Sequence, residues 1–176
     1  MRLKGYVNFT GTHSRVLHKS NGEAFTEIIA PGTFKRALAK QPCNEVRFNH
    51  NQVLDCFMHA LFEDETGLYA DVEVNKSQFE TLAQNNRLTG WSFSFTCNRD
   101  MWATKDGVSY RTVYDLTLHE ISILTVTPAY FHTDIEARSD VELRANNNEV
   151  SIDNAQYIEQ LNTYKQHIDF LMARYT

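Results

Sequence analysis

The segment 88–97, LTGWSFSFTC, restricts the fold more than any other part of the sequence, because aromatic and small residues alternate along it. Successive side chains of an extended strand point to opposite faces of a sheet. One face therefore carries Trp91, Phe93, Phe95 and Cys97, and the other carries Gly90, Ser92, Ser94 and Thr96. The aromatic face must be buried, whereas the small, hydroxylated face leaves space beside the backbone. The pattern predicts a strand that packs on a core through one of its faces.

Strand patterns also occur on both sides of this segment, and turn signals separate them. The expected strands are residues 3–9, 45–49, 54–62 and 68–74, with one or two more within 110–126. Gly67 and the pair Asp106-Gly107 are typical of hairpin bends. Short helices are predicted at 34–40, with Thr33 as N-cap, and at 77–86, with Ser77 as N-cap.

These elements predict a mainly β domain with a few helices, of the α+β class. About seven strands in one domain favour a closed or nearly closed barrel. Strand periodicity alone does not distinguish a barrel from a sandwich.

The chain of 176 residues divides into three regions. Residues 1–138 form the expected barrel domain, and residues 139–149, SDVELRANNNE, have the polar, asparagine-rich composition of a linker. Residues 150–176 predict a helix, because their apolar residues recur every three or four positions. Its apolar face consists of Ile158, Leu161, Tyr164, Ile168, Leu171 and Tyr175. Such a face needs a partner, either the domain before it or another chain.

Charge and cysteine content exclude several classes of function. The formal net charge is -5 and no stretch is dense in Lys or Arg, so we expect no nucleic-acid partner and no binding to anionic lipid. We expect no membrane span and no signal peptide, since no apolar run is long enough. The three cysteines form no Cys-x-x-Cys pair and the histidines follow no metal-binding spacing, so neither a disulfide framework nor a zinc site is expected. The predicted compartment is a cytoplasm, and no cofactor is implied.

Two kinds of side chain in this pattern have the chemistry of a serine hydrolase. A serine nucleophile needs a rigid mount and access for a carbonyl group, and the small face that carries Ser92 and Ser94 provides both. His50 ends the strand 45–49, and histidine can accept a proton at neutral pH. Exposed serines and single surface histidines are common in all proteins, so the pattern alone also fits an ordinary amphipathic strand.

Glu120 is the third candidate, because strand periodicity places it on a face with Leu116, Leu118, Ser122 and Leu124. A carboxylate among leucines is costly unless it has a partner. The imidazole of a catalytic histidine is one such partner, since it needs an acceptor that fixes its tautomer. Arg99 and Arg111 are alternative partners, and His119 on the opposite face is the competing orienting residue.

Five segments in order resemble the prohead protease family of tailed bacteriophages. IIAPGTFKRAL (28–38) is similar to the helix start of that family, and VRFNHN (46–51) to its apolar strand ending in Asn-His. EDETGLYADVEV (63–74) resembles its acidic hairpin, and GWSFSF (90–95) its Gly-x-Ser element. HEISILTVTPAY (119–130) is similar to its Glu-hydrophobic-Ser segment, which ends in Pro-Ala.

The resemblance covers roughly residues 1–139 and implies a fold and a function. The implied fold is an antiparallel β-barrel like that of the herpesvirus maturation proteases. The implied activity is that of a serine endopeptidase with Ser92, rather than Ser94, as nucleophile, His50 as base and Glu120 as the acidic residue.

The same resemblance implies substrates and a location. The substrates are the phage scaffold, or the scaffolding extension of the major capsid protein, and the protease itself. Cleavage takes place inside the assembling procapsid, in the cytoplasm of the bacterial host. The terminal helix then has three options, namely docking on its own barrel, self-association with a second copy, or binding to scaffold coiled coils. The polar segment 139–149 is a candidate for self-cleavage.

Two positions depart from the family pattern. Ser94 stands where the family has glycine, and Asn51 stands where it commonly has aspartate.

Two other functions remain open. A non-catalytic barrel that binds scaffold or capsid subunits would leave His50 and Ser92 too far apart to hydrogen-bond. A hydrolase with Cys97 as nucleophile would need that side chain to leave the aromatic, buried face.

Overall fold

The computed structural model describes residues 1–77, 79, 88–133 and 135–138. These residues belong to a compact unit that spans Met1–Val141. Most of the helix predicted at 77–86, the linker predicted at 139–149 and the helix predicted at 150–176 lie outside the described residues, so all three remain predictions.

The described residues form ten strands and one complete short helix, and Lys76, Ser77 and Phe79 are also helical. Ser77 therefore lies inside a helix, and its prediction as an N-cap is wrong. The strands are β1 (Arg2–Phe9), β2 (Leu17–His18), β3 (Ala24–Ile29), β4 (Val46–Phe48), β5 (Gln52–Val53), β6 (Cys56–Glu63), β7 (Gly67–Val74), β8 (Gly90–Lys105), β9 (Val108–Leu124) and β10 (Glu136–Arg138). The helix α1 spans Thr33–Lys40. The prediction of a mainly β domain with a short helix is therefore confirmed. Strands β2, β3, β5 and β10 were not predicted from the sequence.

The first sheet has the order β10-β1-β7-β6, and all of its pairs are antiparallel. The hairpin predicted around residues 63–67 joins β6 and β7. Gly67 begins β7 rather than forming the bend, and it lies against the backbone of β1. A Cβ atom at this position would come within 2.0 Å of the carbonyl oxygen of Asn8. Only glycine allows so close an approach of two strands at this site.

The second sheet has the order β2-β3-β9-β4-β5, and β8 pairs with β9. Two of its pairs, β3 with β9 and β4 with β9, are parallel. Strands β8 and β9 form a long hairpin whose two-residue bend is Asp106-Gly107, with φ of 52° and 77°. Positive φ at both positions defines the turn type that suits the twist of a hairpin, so this prediction is confirmed.

The expected closed, antiparallel barrel is not found among the described residues, in which the two sheets do not join into a ring and the second sheet is mixed. Strand β3 is parallel to the first part of β9, at residues 109–113, and β4 is parallel to its last part, at residues 121–123. A relationship to the herpesvirus protease fold stays a prediction.

The N-terminus of helix α1 is capped by a side chain from strand β6. The predicted N-cap, Thr33, is wrong: the cap position is Gly32, with φ of 80°, and the helix begins at Thr33. The two carboxylate oxygens of Glu63, on β6, accept hydrogen bonds of 2.6 Å from the backbone N–H groups of Gly32 and Lys35. A negative charge at a helix N-terminus also interacts favourably with the helix dipole. Local sequence rules miss this cap because its donor and acceptor lie 28 and 31 residues apart.

The apolar faces of both sheets and of α1 share one core. Its fully buried members include Leu3, Val7, Ile29, Phe34, Leu68, Val72, Trp91, Val113, Ile121 and Ile123. Phe34 of the helix packs edge-on against Phe93 of β8, with ring centroids 5.1 Å apart. Burial of each such large side chain contributes roughly 1.5–3 kcal/mol, so this core fixes β8 and β9 as a rigid support. No helix within the described residues is both long and apolar enough to span a bilayer.

Candidate active site

The pairing of β8 with β9 brings four polar residues onto one side of the hairpin. Ser92 lies opposite Ser122, and Ser94 lies opposite Glu120. Directly opposed residues of an antiparallel pair share a face. The neighbouring pairs, Trp91 with Ile123 and Phe93 with Ile121, point into the core instead. The alternation predicted for residues 90–97 is therefore present, and Ser92 is only 8% exposed.

A β-bulge at His119 changes the face on which Glu120 lies. Strand β8 passes from Ser94 to Phe95 while its partner passes from Glu120 to Leu118, so His119 is the extra residue. Leu116 and Leu118 belong to the core before the bulge, and Ile121 and Ile123 belong to it afterwards. The expectation that Glu120 shares a face with Leu116 and Leu118 is therefore wrong. A bulge reverses the alternation, and it turns Glu120 and Ser122 toward the polar side.

His50 follows β4 at a sharp corner of the backbone. Both Asn49 and His50 adopt left-handed conformations, with φ of 50° and 61°. This region is unfavourable for residues other than glycine, and asparagine tolerates it best. Hydrogen bonds to the end of β9 and to the residue after it hold the corner. The N–H of Asn49 donates to the carbonyl of Ile123 over 2.9 Å, and the Oδ1 of Asn49 accepts from the N–H of Thr125 over 2.9 Å. The corner is thus fixed to the strand that carries Glu120.

The imidazole of His50 lies between Ser92 and Glu120. Its Nδ1 atom is 2.7 Å from Oε1 of Glu120, and its Nε2 atom is 3.0 Å from Oγ of Ser92. An ionised carboxylate only accepts hydrogen bonds, so Nδ1 carries the hydrogen and Nε2 accepts the hydrogen bond from the serine hydroxyl. The structure therefore joins all three predicted site residues in one chain of hydrogen bonds. It does not join them to Asn51, which instead donates its backbone N–H to Phe48 over 3.1 Å.

The carboxyl group of Glu120 is buried, yet it stays ionised readily. Burial by itself raises the pKa of Glu120, but hydrogen bonds to His50, Ser122 and Ser94 outweigh it, and the pKa lies below its ordinary value. The hydroxyl of Ser122 donates to Oε2 over 2.6 Å. Ser94, the departure from the family glycine, thus adds a polar contact to Glu120. The site keeps a negative charge beside the imidazole, which stabilises the imidazole once it is protonated.

The competing candidates lie outside this arrangement. His119 is exposed, and its Nε2 atom is 2.7 Å from the hydroxyl oxygen of Thr96, not near His50. Burial raises the pKa of the Cys97 thiol, which disfavours the thiolate that a nucleophile requires. Arg111 pairs with Glu27 and Asp100 rather than with Glu120. Within the described ranges, no cluster of three or more His, Cys, Asp or Glu side chains is placed to bind a metal ion.

Sequence analysis missed Asn49, Ser122 and Thr125 as parts of the site. Ser122 carried a signal, since it lies two residues from Glu120 on the same strand face. Asn49 carried another, because asparagine directly before a candidate histidine fits a left-handed corner. Thr125 carried none, since its role depends on the packing of β9 beside the corner.

A protein-family model matches most of the chain. The family model described as caudovirus prohead serine protease matches residues 1–147. The chain belongs to the caudovirus prohead serine protease family. No curated protein and no solved structure matches the chain significantly.

Membership in the prohead serine protease family supports a general activity in capsid maturation. The match covers all of the described residues, including His50, Ser92 and Glu120. A serine protease needs a serine beside a proton acceptor, and this part of the prohead protease chain contains that juxtaposition.

Proposed function

We propose that the chain is a serine endopeptidase in which Ser92 is the nucleophile, His50 the general base and Glu120 the residue that orients the imidazole. The observation that carries this proposal is the 3.0 Å separation between Nε2 of His50 and Oγ of Ser92, with the other ring nitrogen on a carboxylate. Nucleophile, base and orienting group in hydrogen-bond contact are the signature of this type of catalysis.

The proposed reaction proceeds in two halves. As Oγ of Ser92 forms a bond with the peptide carbonyl carbon, its proton passes to Nε2 of His50. The tetrahedral intermediate collapses, the C–N bond breaks, and the imidazolium gives its proton to the leaving amine. Water then attacks the acyl ester while Nε2 takes a proton from it, and Ser92 recovers its hydroxyl hydrogen as the acid leaves. Glu120 remains ionised throughout and stabilises the imidazolium.

The proposed substrates are proteins of the assembling capsid. Family membership supports action on procapsid proteins, and the finer assignment is to the scaffold or the scaffolding extension of the major capsid protein. Cleavage takes place inside the procapsid in the bacterial cytoplasm. The polar segment 139–149 is a further proposed substrate, since flexible polar backbone enters an active site easily.

A second proposal concerns the fold of the domain. We infer a relationship to the herpesvirus maturation proteases because the five sequence segments resemble the prohead protease family, whose fold is similar to theirs. An experimental structure superposed on such a protease tests it, and a different order of strands around β8 and β9 would exclude it.

A non-catalytic assembly protein is the alternative function. It predicts that His50 and Ser92 lie too far apart to hydrogen-bond, whereas the two side chains are 3.0 Å apart. The His50 side chain is 41% exposed and Glu120 only 4% exposed, so solvent reaches the imidazole while its carboxylate partner is buried. That accessibility favours the enzyme.

Removal of the Ser92 hydroxyl tests the proposal. We expect Ser92→Ala to fold normally. The variant should no longer cleave co-expressed capsid protein, as measured by mass spectrometry, and a fluorophosphonate probe should no longer label it. Ser14→Ala is the matched control, because Ser14 is also buried, at 3% exposure, but hydrogen-bonds to Glu27 and Arg15. Cleavage retained by purified Ser92→Ala would exclude Ser92 as nucleophile.

A further inference from the structure

We propose that Ser122 is a positioning residue whose single hydroxyl joins the Glu120 carboxylate to the backbone of His50, so that base and orienting group move as one unit. The inference rests on the proposed function, because it assigns a role within the same site. Ser122 acts through Glu120 and His50 and is itself not a catalytic residue.

The contacts of Ser122 close a ring of hydrogen bonds. Its Oγ atom donates to Oε2 of Glu120 over 2.6 Å and accepts from the backbone N–H of His50 over 3.2 Å. The other carboxylate oxygen of Glu120 accepts from Nδ1 of His50 over 2.7 Å. The histidine is therefore held twice, once by its ring and once by its backbone, and both contacts lead to the same carboxylate.

The position of Ser122 on the hairpin makes these contacts rigid. The residue is completely buried, and it lies on β9 two residues beyond Glu120 and directly opposite Ser92. Strand β4 runs parallel to β9 at this point, with Arg47 aligned to Ser122. The hydroxyl is thus at the junction of all three strands that carry the site.

The backbone of His50 needs such a contact. Its φ of 61° is a left-handed conformation, which costs free energy in residues other than glycine and persists when the surrounding contacts hold it. Without the Ser122 hydroxyl, the backbone N–H of His50 would lack this hydrogen-bond partner at a partly buried corner. Without Ser122 the corner can relax, and the 3.0 Å contact between Nε2 and Oγ of Ser92 would lengthen.

The carboxylate of Glu120 depends on the same hydroxyl. The hydrogen bond from Ser122 is one of the interactions that hold the pKa of Glu120 below its ordinary value, against the effect of burial. Its loss raises that pKa and weakens the charge beside His50. Protonation of Glu120 removes the charge that orients His50, so the acid limb of the rate profile should move to higher pH when the pKa of Glu120 rises.

The test uses the rate at which a fluorophosphonate probe labels Ser92 of the full chain, measured from pH 5 to 9. We expect Ser122→Ala to label about 10- to 100-fold more slowly, the usual effect of losing a hydrogen bond to a charged group, with its acid limb at higher pH. Ser14→Ala, the control with the same buried deletion, should keep the parent rate and the parent limb.

Each outcome has one meaning. A slower rate with a displaced acid limb in Ser122→Ala alone supports positioning. A parent-like labelling rate overturns it, and so does a slower rate whose acid limb stays at the parent pH. Both results leave the proposed function intact. A parent chain that neither labels at Ser92 nor cleaves capsid protein overturns the proposed function itself.

A second variant covers the case in which Ser122→Ala does not fold. Ser122→Cys keeps the shape and a weaker donor, so it should fold and label at a rate between those expected for the parent and for Ser122→Ala. Circular dichroism checks the fold of each variant. A folded Ser122→Cys that labels at the parent rate with the parent limb overturns the proposal.

Discussion

Nδ1 of His50 lies 2.7 Å from Oε1 of Glu120, although 70 positions separate the two residues in the chain. The pair is asymmetric, because the histidine side chain is 41% exposed and the carboxylate 4% exposed. A buried acceptor and an accessible imidazole suit a base that must meet a substrate while keeping one tautomer. The same contact distinguishes Glu120 from its strand neighbour His119, whose Nε2 atom lies beside the hydroxyl of Thr96 instead.

We expect Glu120→Gln to lower the rate of cleavage by about 10³- to 10⁴-fold, because a neutral amide neither fixes the tautomer of His50 nor stabilises the imidazolium. The fold should be kept, since glutamine has nearly the same shape. Cleavage of co-expressed capsid protein and fluorophosphonate labelling measure the effect. His119→Gln is the matched control, since His119 is exposed and contacts Thr96, and it should retain the parent rate. An equal loss in both variants would contradict the assignment of Glu120.

The corner at Asn49 predicts a different kind of defect. Asn49→Ala removes the amide that bonds to Thr125 and places alanine at a φ of 50°. We expect a loss of about 1–3 kcal/mol in unfolding free energy and slower labelling of Ser92, because the corner carries His50.

Asn49→Gly separates the two causes. Glycine accepts the left-handed backbone without strain but lacks the amide. It should unfold at a urea concentration between those of the parent and Asn49→Ala. Equal midpoints for parent and Asn49→Ala in urea unfolding would show that the corner stores no strain and that the Thr125 contact is not needed.

Stability in acid should depend on Asp71. The hydrogen bond from Arg2 is the largest cause that lowers the pKa of Asp71, from 3.8 to about 2, and Lys4 adds to it. A folded pKa below the unfolded value means that the contribution is complete above about pH 4 and is lost as the pH falls toward 2. We expect Asp71→Asn to lose up to about 2 kcal/mol of unfolding free energy at pH 7 and almost none near pH 2.

Urea unfolding followed by tryptophan fluorescence at pH 7, 5, 3 and 2 measures this difference. Asp106→Asn, the same change in the exposed bend of the long hairpin, is the control and should match the parent at each pH. A constant difference between Asp71→Asn and the parent across this range would rule out the ion pair as its cause.

The sequence predicted the parts of the site that depend on local pattern. Alternation from Trp91 to Cys97 predicted the strand and the polar face of Ser92, and Asp106-Gly107 predicted the hairpin that places β9 beside it. Both predictions rely on backbone preferences within a few residues, which act in the same way in any fold. The ordered resemblance then selected Ser92, His50 and Glu120 as the residues to test.

Tertiary structure decided the remaining features, since each depends on contacts between distant segments. The bulge at His119 turned Glu120 away from the leucine face, and no local signal marks the insertion of one residue into a pair of long strands. The same holds for the cap that Glu63 supplies to α1 and for the mixed sheet that replaced the expected barrel. Periodicity assigns each side chain to a face, but the pairing of strands decides which faces meet, and that pairing is set by the packing of the whole core.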